Sequence, residues 1–193
     1  HGNSRGVRFV GVWDTVGAMG IPLSFLGMFE NKDEFYDTKL GPNVAVARHA
    51  LALNERRVDF QPTLWLPRAE VDLQQVWFVG CHSDVGGSHG PDEPAGGVLS
   101  AIPLKSMVKQ ASQFGLAVES HVAKGVKADP MAAIHESRRT FNRLRERYSR
   151  PIEPLVKYKT EEILVPTQIH KSVKARWDAD SDYRPRALVK HLE

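Results

Sequence analysis

The chain has 193 residues, of which 41% are hydrophobic and 25% charged, the balance of an ordinary globular domain with a sizeable core. Its net charge of +3 is spread over mixed charges, and no base-reading motif accompanies it, so the composition argues against nucleic-acid binding. No apolar run is long enough for a membrane span, and a single cysteine excludes an internal disulfide.

Five segments carry a clear secondary-structure pattern. Residues 7–13 and 76–80 are rich in β-branched and aromatic side chains, which predicts two buried strands. The apolar residues of segment 44–57 recur on a helical spacing and end in a basic pair, so this segment is predicted to be a helix. An amphipathic helix is predicted over residues 99–114, and a further helix over residues 130–148.

This alternation of strands and helices predicts an α/β sandwich with a mostly parallel sheet and flanking helices. Only two strands stand out, and the first begins at residue 7, although its composition predicts cover on both faces. We therefore expect residues 1–193 to form a single incomplete domain, the C-terminal portion of a larger fold whose N-terminal strands are missing.

Two ionisable residues, Asp14 and His82, follow the two predicted strands directly. If the strands are parallel neighbours joined by the helix at 44–57, both side chains lie at one sheet edge, where active sites of α/β folds occur. An imidazole base oriented by a carboxylate is two thirds of a nucleophile–base–acid triad. The plain structural alternative is that Asp14 caps a turn and that His82 bonds a backbone carbonyl.

Other residues around these two are candidates for supporting roles. Two glycines after His82 allow the backbone to turn tightly. A second candidate base, His170, follows an apolar run near the end of the chain. The supporting candidates are Thr15, Asp84, Gly86 and Gly87.

A serine in the pattern G-x-S-x-G occurs at Ser4, but we do not interpret it as the nucleophile. A nucleophile elbow needs a strand before the serine and a helix after it. Here a predicted strand follows Ser4, so the match is interpreted as a coincidence.

Metal binding is the rival chemistry, because His82, Asp84, His89 and Asp92 lie close together in the sequence. The H-x-D spacing on an extended strand fixes no third ligand, so we predict no metal site and no cofactor. The neighbouring Cys81 is interpreted as a small buried residue.

Residues 23–29 contain an apolar patch that could contact a lipid substrate or a membrane. The patch fits a lid, a membrane-touching surface or, more simply, a loop packed on the core. Its residues are Leu23, Phe25, Leu26, Met28 and Phe29.

Several blocks, taken in order, resemble a known α/β-hydrolase domain family that includes the type VI secretion phospholipase effectors. The signature block is residues 9–18 (FVGVWDTVGA), and the histidine block is residues 76–87 (VWFVGCHSDVGG). Other stretches are similar to its middle and final blocks: residues 48–57 and 60–65, residues 99–104, and residues 170–173 with 183–185. The family usually has Asp where Asn54 and Ala101 stand in this chain.

The resemblance implies that Asp14 is the triad acid and His82 the triad base. It also implies that the nucleophile lies in an elbow upstream of the Asp14 strand. The parent protein is then expected to be a bacterial serine esterase of the lipase or phospholipase class, cytoplasmic or secreted as an effector. A non-catalytic remnant or interaction domain is the alternative, and under either hypothesis these residues alone are expected to be inactive.

Overall fold

A computed structural model describes residues 6–16, 39–89, 98–119, 127–137 and 147–192. Its strands are β1 (Val10–Trp13), β2 (Val46–Ala52), β3 (Asp72–Phe78), β4 (Leu155–Tyr158), β5 (Glu161–Leu164) and β6 (Gln168–Ile169). Its helices are α1 (His82–Gly86), α2 (Ala101–Gln113), α3 (Lys171–Ala179) and α4 (Arg186–Leu192), with a 3₁₀ turn at Val58–Phe60. None of the helices in these ranges is long and apolar enough to cross a membrane.

Four of the strands form one parallel sheet in the order β1-β2-β3-β6. The remaining two, β4 and β5, form a separate antiparallel hairpin. Helices lie on both faces of the parallel sheet, because α1 and α2 contact one set of strand residues and α3 and α4 contribute to the core on the other. The predicted α/β class with a mostly parallel sheet and flanking helices is therefore confirmed.

The alternation of side chains along β2 and β3 builds a core on each face. Leu51 and Trp77 point to the face covered by Val173 of α3 and Leu188 of α4. The adjacent β-strand residues form the core on the opposite face, with Val85 of α1 and Met107 of α2. The strand residues of this second cluster are Ala50, Ala52 and Phe78.

The prediction of a helix over residues 44–57 is wrong, because most of this segment is strand β2. All seven residues of β2 are buried, since β1 and β3 pair with its edges and both of its faces are covered. In a strand buried on both faces, apolar residues do not alternate, and periodicity then cannot separate strand from helix. The sheet consequently has more strands than the two the sequence suggested.

The prediction of a helix over residues 130–148 is also wrong where it can be compared. Residues 130–137 form turns and irregular backbone, and residues 147–150 have no regular secondary structure; the intervening residues lie outside the described ranges. Arg176 donates to the carbonyls of Pro130 and Ala132, which supplies these irregular residues with a partner that a helix would not need. The helix predicted over 99–114 is confirmed as α2.

The turn from β3 into α1 requires a glycine at position 80. Gly80 has a φ of +117°, and a Cβ on it would lie 2.5 Å from Cβ of Asp84. At the other end of α1, Gly87 adopts φ +83° and its N–H donates to the carbonyl of Ser83. The two glycines therefore allow a five-residue helix to begin at His82 directly after the sheet.

Candidate active site

Asp14 and His82 form a hydrogen-bonded pair at the carboxyl end of the sheet. Nδ1 of His82 donates to Oδ2 of Asp14 at 2.7 Å. Asp14 is completely buried, while the His82 side chain is 29% exposed. The strands they follow, β1 and β3, are not neighbours as predicted, because β2 lies between them.

The backbone conformation of Asp14 lets its side chain reach His82 although β2 lies between their two strands. Asp14 has a φ of +43°, a left-handed conformation that Asp adopts more readily than most residues. Its N–H donates to the carbonyl of Ala50, and its Oδ1 accepts the N–H of Ala52 at 2.8 Å. The carboxylate therefore lies over the end of β2, facing His82.

Arg150 is the ionic partner of Asp14, although the sequence analysis did not select it. Its Nη1 lies 2.6 Å from Oδ1 of Asp14, and its Nη2 lies 3.1 Å from Oδ2. Arg150 also donates to the carbonyls of Ala52 and Phe60. Burial by itself would raise the pKa of Asp14, but the Arg150 charge and hydrogen bonds from His82, Arg150 and Ala52 lower it to about 2.

His82 is positioned from its backbone and from its ring. The buried carboxylate of Glu55 accepts the His82 N–H at 3.2 Å and also pairs with Arg57 at 2.9 Å. Burial would raise the pKa of Glu55, but hydrogen bonds from Arg57 and its charge lower it overall, so Glu55 is an anion. The ring of Phe60 packs edge-on against His82 at 5.1 Å, and the Arg57 guanidinium lies over Phe60.

His49, buried in β2, holds the backbone next to Asp14. Its Nε2 accepts the N–H of Thr15 at 3.1 Å, so its proton is on Nδ1, facing Oε1 of Gln75 at 3.4 Å. Burial is the main cause that lowers the pKa of His49 to about 4, so the ring is neutral near pH 7. Thr15 is an exposed residue, and it contacts the site only through its backbone N–H.

The candidate supporting residues in α1 have separate roles. Asp84 is buried; its Oδ2 accepts the N–H of Cys81, and its Oδ1 lies 2.5 Å from Nδ1 of His135. This makes Asp84 a partner of His135 rather than of His82. Gly86 and Gly87 are exposed and serve the end of the helix rather than contacting the dyad.

The alternative base, His170, has partners of a different kind. It caps the N-terminus of α3, where its Nδ1 accepts the N–H and the hydroxyl of Ser172. Its ring stacks on Phe78 at 4.6 Å, and burial, followed by the Lys171 charge, lowers its pKa. Because Nδ1 of His170 accepts hydrogen bonds, the proton of its neutral ring is on Nε2, and no ring lone pair is left to take a proton. In His82 the proton is on Nδ1, facing Asp14, so the geometry favours His82 over His170 as the base.

The candidate metal ligands divide between two places. His82 faces Asp14, whereas Cys81, Asp84 and His89 bring one ligand atom each to within 4.8 Å of one another. The His89 and His135 rings stack in parallel at 3.5 Å, and both face Oδ1 of Asp84, with Nδ1 of His135 at 2.5 Å and Nε2 of His89 at 3.7 Å. Burial, followed by the Asp84 charge, raises the pKa of the Cys81 thiol to about 12, so the thiol is neutral near pH 7.

Three predictions lie outside the described residues: the interpretation of Ser4, the apolar patch at residues 23–29, and Asp92. The residues that the sequence analysis missed, Arg150, Glu55 and His49, share one property. They are ionisable side chains in a buried strand or an irregular segment, far from Asp14 in sequence. Buried ionisable residues need partners, but the sequence does not say which ones.

A family model described as "T6SS, Phospholipase effector Tle1-like, catalytic domain" matches residues 1–110. The match confirms the resemblance that the sequence blocks indicate, and it spans both Asp14 and His82. No curated protein and no solved structure gives a significant match.

Proposed function

The chain belongs to the Tle1-like catalytic domain family of type VI secretion phospholipase effectors, and on this premise we propose that it supplies the base and acid of a serine hydrolase acting on phospholipid carboxylic esters. The observation that carries the proposal is the hydrogen bond between Nδ1 of His82 and the buried Asp14 carboxylate. This is the contact that orients the base in a Ser-His-Asp triad.

Each support of the dyad has a chemical consequence. Because Arg150 keeps Asp14 ionised, Asp14 accepts the Nδ1 proton, and the lone pair of Nε2 is left for a nucleophile's proton. Glu55 and Phe60 restrict the position of His82, which a general base needs for a defined hydrogen bond. The partial exposure of the His82 side chain gives substrate access to the ring.

The reaction then follows from the geometry and the chemistry of esters. A serine hydroxyl attacks the ester carbonyl while Nε2 of His82 takes its proton, and the resulting imidazolium is stabilised by Asp14. His82 then gives this proton to the leaving alcohol oxygen as the ester C–O bond breaks. Water, deprotonated by His82, releases the acyl group as a carboxylic acid and restores the serine. The serine is proposed to lie upstream of residue 1, since Ser4 is not interpreted as the nucleophile.

A serine-reactive fluorophosphonate probe tests the proposal. It is applied to this chain and to a longer parent protein, with the labelled residue mapped by mass spectrometry and phospholipid hydrolysis measured in parallel. We expect the longer parent protein to be labelled at one serine that precedes residue 1, and the label to be lost in its His82→Ala variant. His170→Ala is the matched control and is expected to retain labelling.

Other outcomes have distinct meanings. Labelling of Ser4 would support a serine hydrolase, but it would show that Ser4 is the nucleophile and that its G-x-S-x-G pattern is not a coincidence. Labelling that is retained in His82→Ala but lost in His170→Ala would identify His170, rather than His82, as the general base. Absence of label and of hydrolysis in both proteins would favour the alternative, a non-catalytic remnant of hydrolase ancestry. Contact with a membrane surface through residues 23–29 remains part of the proposal for a lipid substrate.

A further inference from the structure

A cavity of about 470 Å³ lies between residues 149–152 and helix α4. Neither Asp14 nor His82 lines it, so it is distinct from the catalytic dyad. Four basic residues line it, and its lining within the described part of the chain contains no carboxylate. The basic residues are Arg150, Arg186, Lys190 and His191.

Two of these residues, Arg186 and Lys190, lie on one face of α4, because they are four positions apart in the helix. His191 follows Lys190 directly and also lines the cavity. Like charges at positions i and i+4 repel each other. Among the described residues, none of the three forms an ion pair with a carboxylate. An anion in the cavity would compensate this repulsion.

Arg150 forms part of the cavity wall, with its charge paired to Asp14. It is 1% exposed and lines the cavity, while its two terminal nitrogens are engaged by Asp14 and by two carbonyls. Its Nε has no hydrogen-bond partner within the described ranges. This nitrogen has essentially no accessible surface, so an anion in the cavity would contact the exposed Arg186 and Lys190 rather than Arg150.

We propose that this cavity binds a phosphate group, with Arg186 and Lys190 as its principal contacts. Guanidinium and ammonium groups are the usual partners of phosphate oxygens, and the Ser149 residue at the rim adds a hydroxyl to the lining. Inorganic phosphate and the exposed phosphomonoester of a phosphatidic acid headgroup present the same chemistry. The site is a second binding site and does not depend on the hydrolysis proposed above.

Thermal unfolding of the full chain tests the site with inorganic phosphate at constant ionic strength. A ligand that binds only the folded state raises Tm, so millimolar phosphate should stabilise the unchanged protein. The Arg186→Gln/Lys190→Gln variant should lose this increase. Lys105→Gln/Lys109→Gln is the matched control, because it removes two exposed lysines at the same spacing on α2, away from the cavity. It should retain the whole increase.

Two results would overturn the proposal. One is an equal increase in all three proteins, which would indicate general screening of surface charge. The other is no increase in the unchanged protein. If circular dichroism shows that the double variant does not fold, Lys190→Gln alone decides, since it alters one exposed side chain in the last helical turn. A reduced increase supports the site, and an unchanged one contradicts it.

Vesicle binding distinguishes the two sources of phosphate. Phosphatidylcholine vesicles with and without phosphatidic acid are sedimented with each protein. Binding that requires phosphatidic acid, and that weakens at least about tenfold in Arg186→Gln/Lys190→Gln, identifies a lipid headgroup. A phosphate-dependent Tm increase without vesicle binding identifies a soluble phosphate. Either result supports the phosphate site.

Discussion

The guanidinium of Arg150 contacts both carboxylate oxygens of Asp14, at 2.6 and 3.1 Å, in a region where both side chains are fully buried. The two residues are 136 positions apart, so the carboxyl end of β1 is tied to a late, irregular segment of the chain. A paired buried carboxylate stays ionised and holds one orientation. The pair therefore serves both the fold and the proposed base.

Removing Arg150 should destabilise the protein strongly. In Arg150→Ala, Asp14 remains buried without its counter-charge, and breaking such a pair costs about 3–5 kcal/mol in the free energy of unfolding. Urea unfolding followed by tryptophan fluorescence measures this. The control is Lys174→Ala, which removes an exposed ion pair with Asp178 and should cost about 0.5 kcal/mol or less. Similar losses in both variants would contradict the importance of the buried pair.

Stability should decrease with acidity between about pH 6.5 and pH 4 because of His49. Its pKa is about 4 in the folded protein and near 6.5 when unfolded, so the unfolded state binds the proton first. The contribution is complete above pH 6.5 and is lost as pH falls, with a slope of at most about 1.4 kcal/mol per pH unit. Urea unfolding across this range should show a smaller slope in His49→Gln than in the exposed control His191→Gln. Equal slopes in the two variants would show that His49 is not the cause of the pH dependence.

Alanine substitutions at Gly80 and Gly86, two glycines near α1, should have opposite effects on the free energy of unfolding. Gly80→Ala places a Cβ 2.5 Å from Asp84 at a φ of +117°, so we expect a loss of roughly 1–3 kcal/mol. Gly86→Ala meets no atom within 4 Å and lies in a helix, so it should be neutral or stabilising by up to about 1 kcal/mol. Thermal unfolding of both variants gives the comparison. A Gly80→Ala protein as stable as the original would show that this turn relaxes freely.

Asp14→Asn should lower kcat by about 10⁴-fold in the active protein, with little change in KM. An amide in place of the carboxylate favours the wrong His82 tautomer, with the proton on Nε2 where the lone pair is needed. Phospholipid hydrolysis rates measure the effect. Asp72→Asn is the control, because it alters a remote carboxylate that also pairs with an arginine, Arg48. If both substitutions reduced kcat equally, loss of structure rather than of the dyad would be responsible.

The sequence by itself selected Asp14 and His82, and the α/β class followed from the strands and helix around them. A strand that ends in an ionisable residue and glycines is a local pattern, readable because successive side chains and turn residues are neighbours in the chain. The same local signals placed α2 correctly. They could not identify β2, because a strand covered on both faces has no alternation to read.

Tertiary structure alone decided how the two residues meet and what surrounds them. The insertion of β2 between their strands, the left-handed turn at Asp14, and the partners Arg150 and Glu55 all depend on contacts between distant segments. Burial makes those partners obligatory, because an ionised group away from water needs an opposite charge or several hydrogen bonds. The sequence shows that such a group exists, but only the packed chain determines which residue satisfies it.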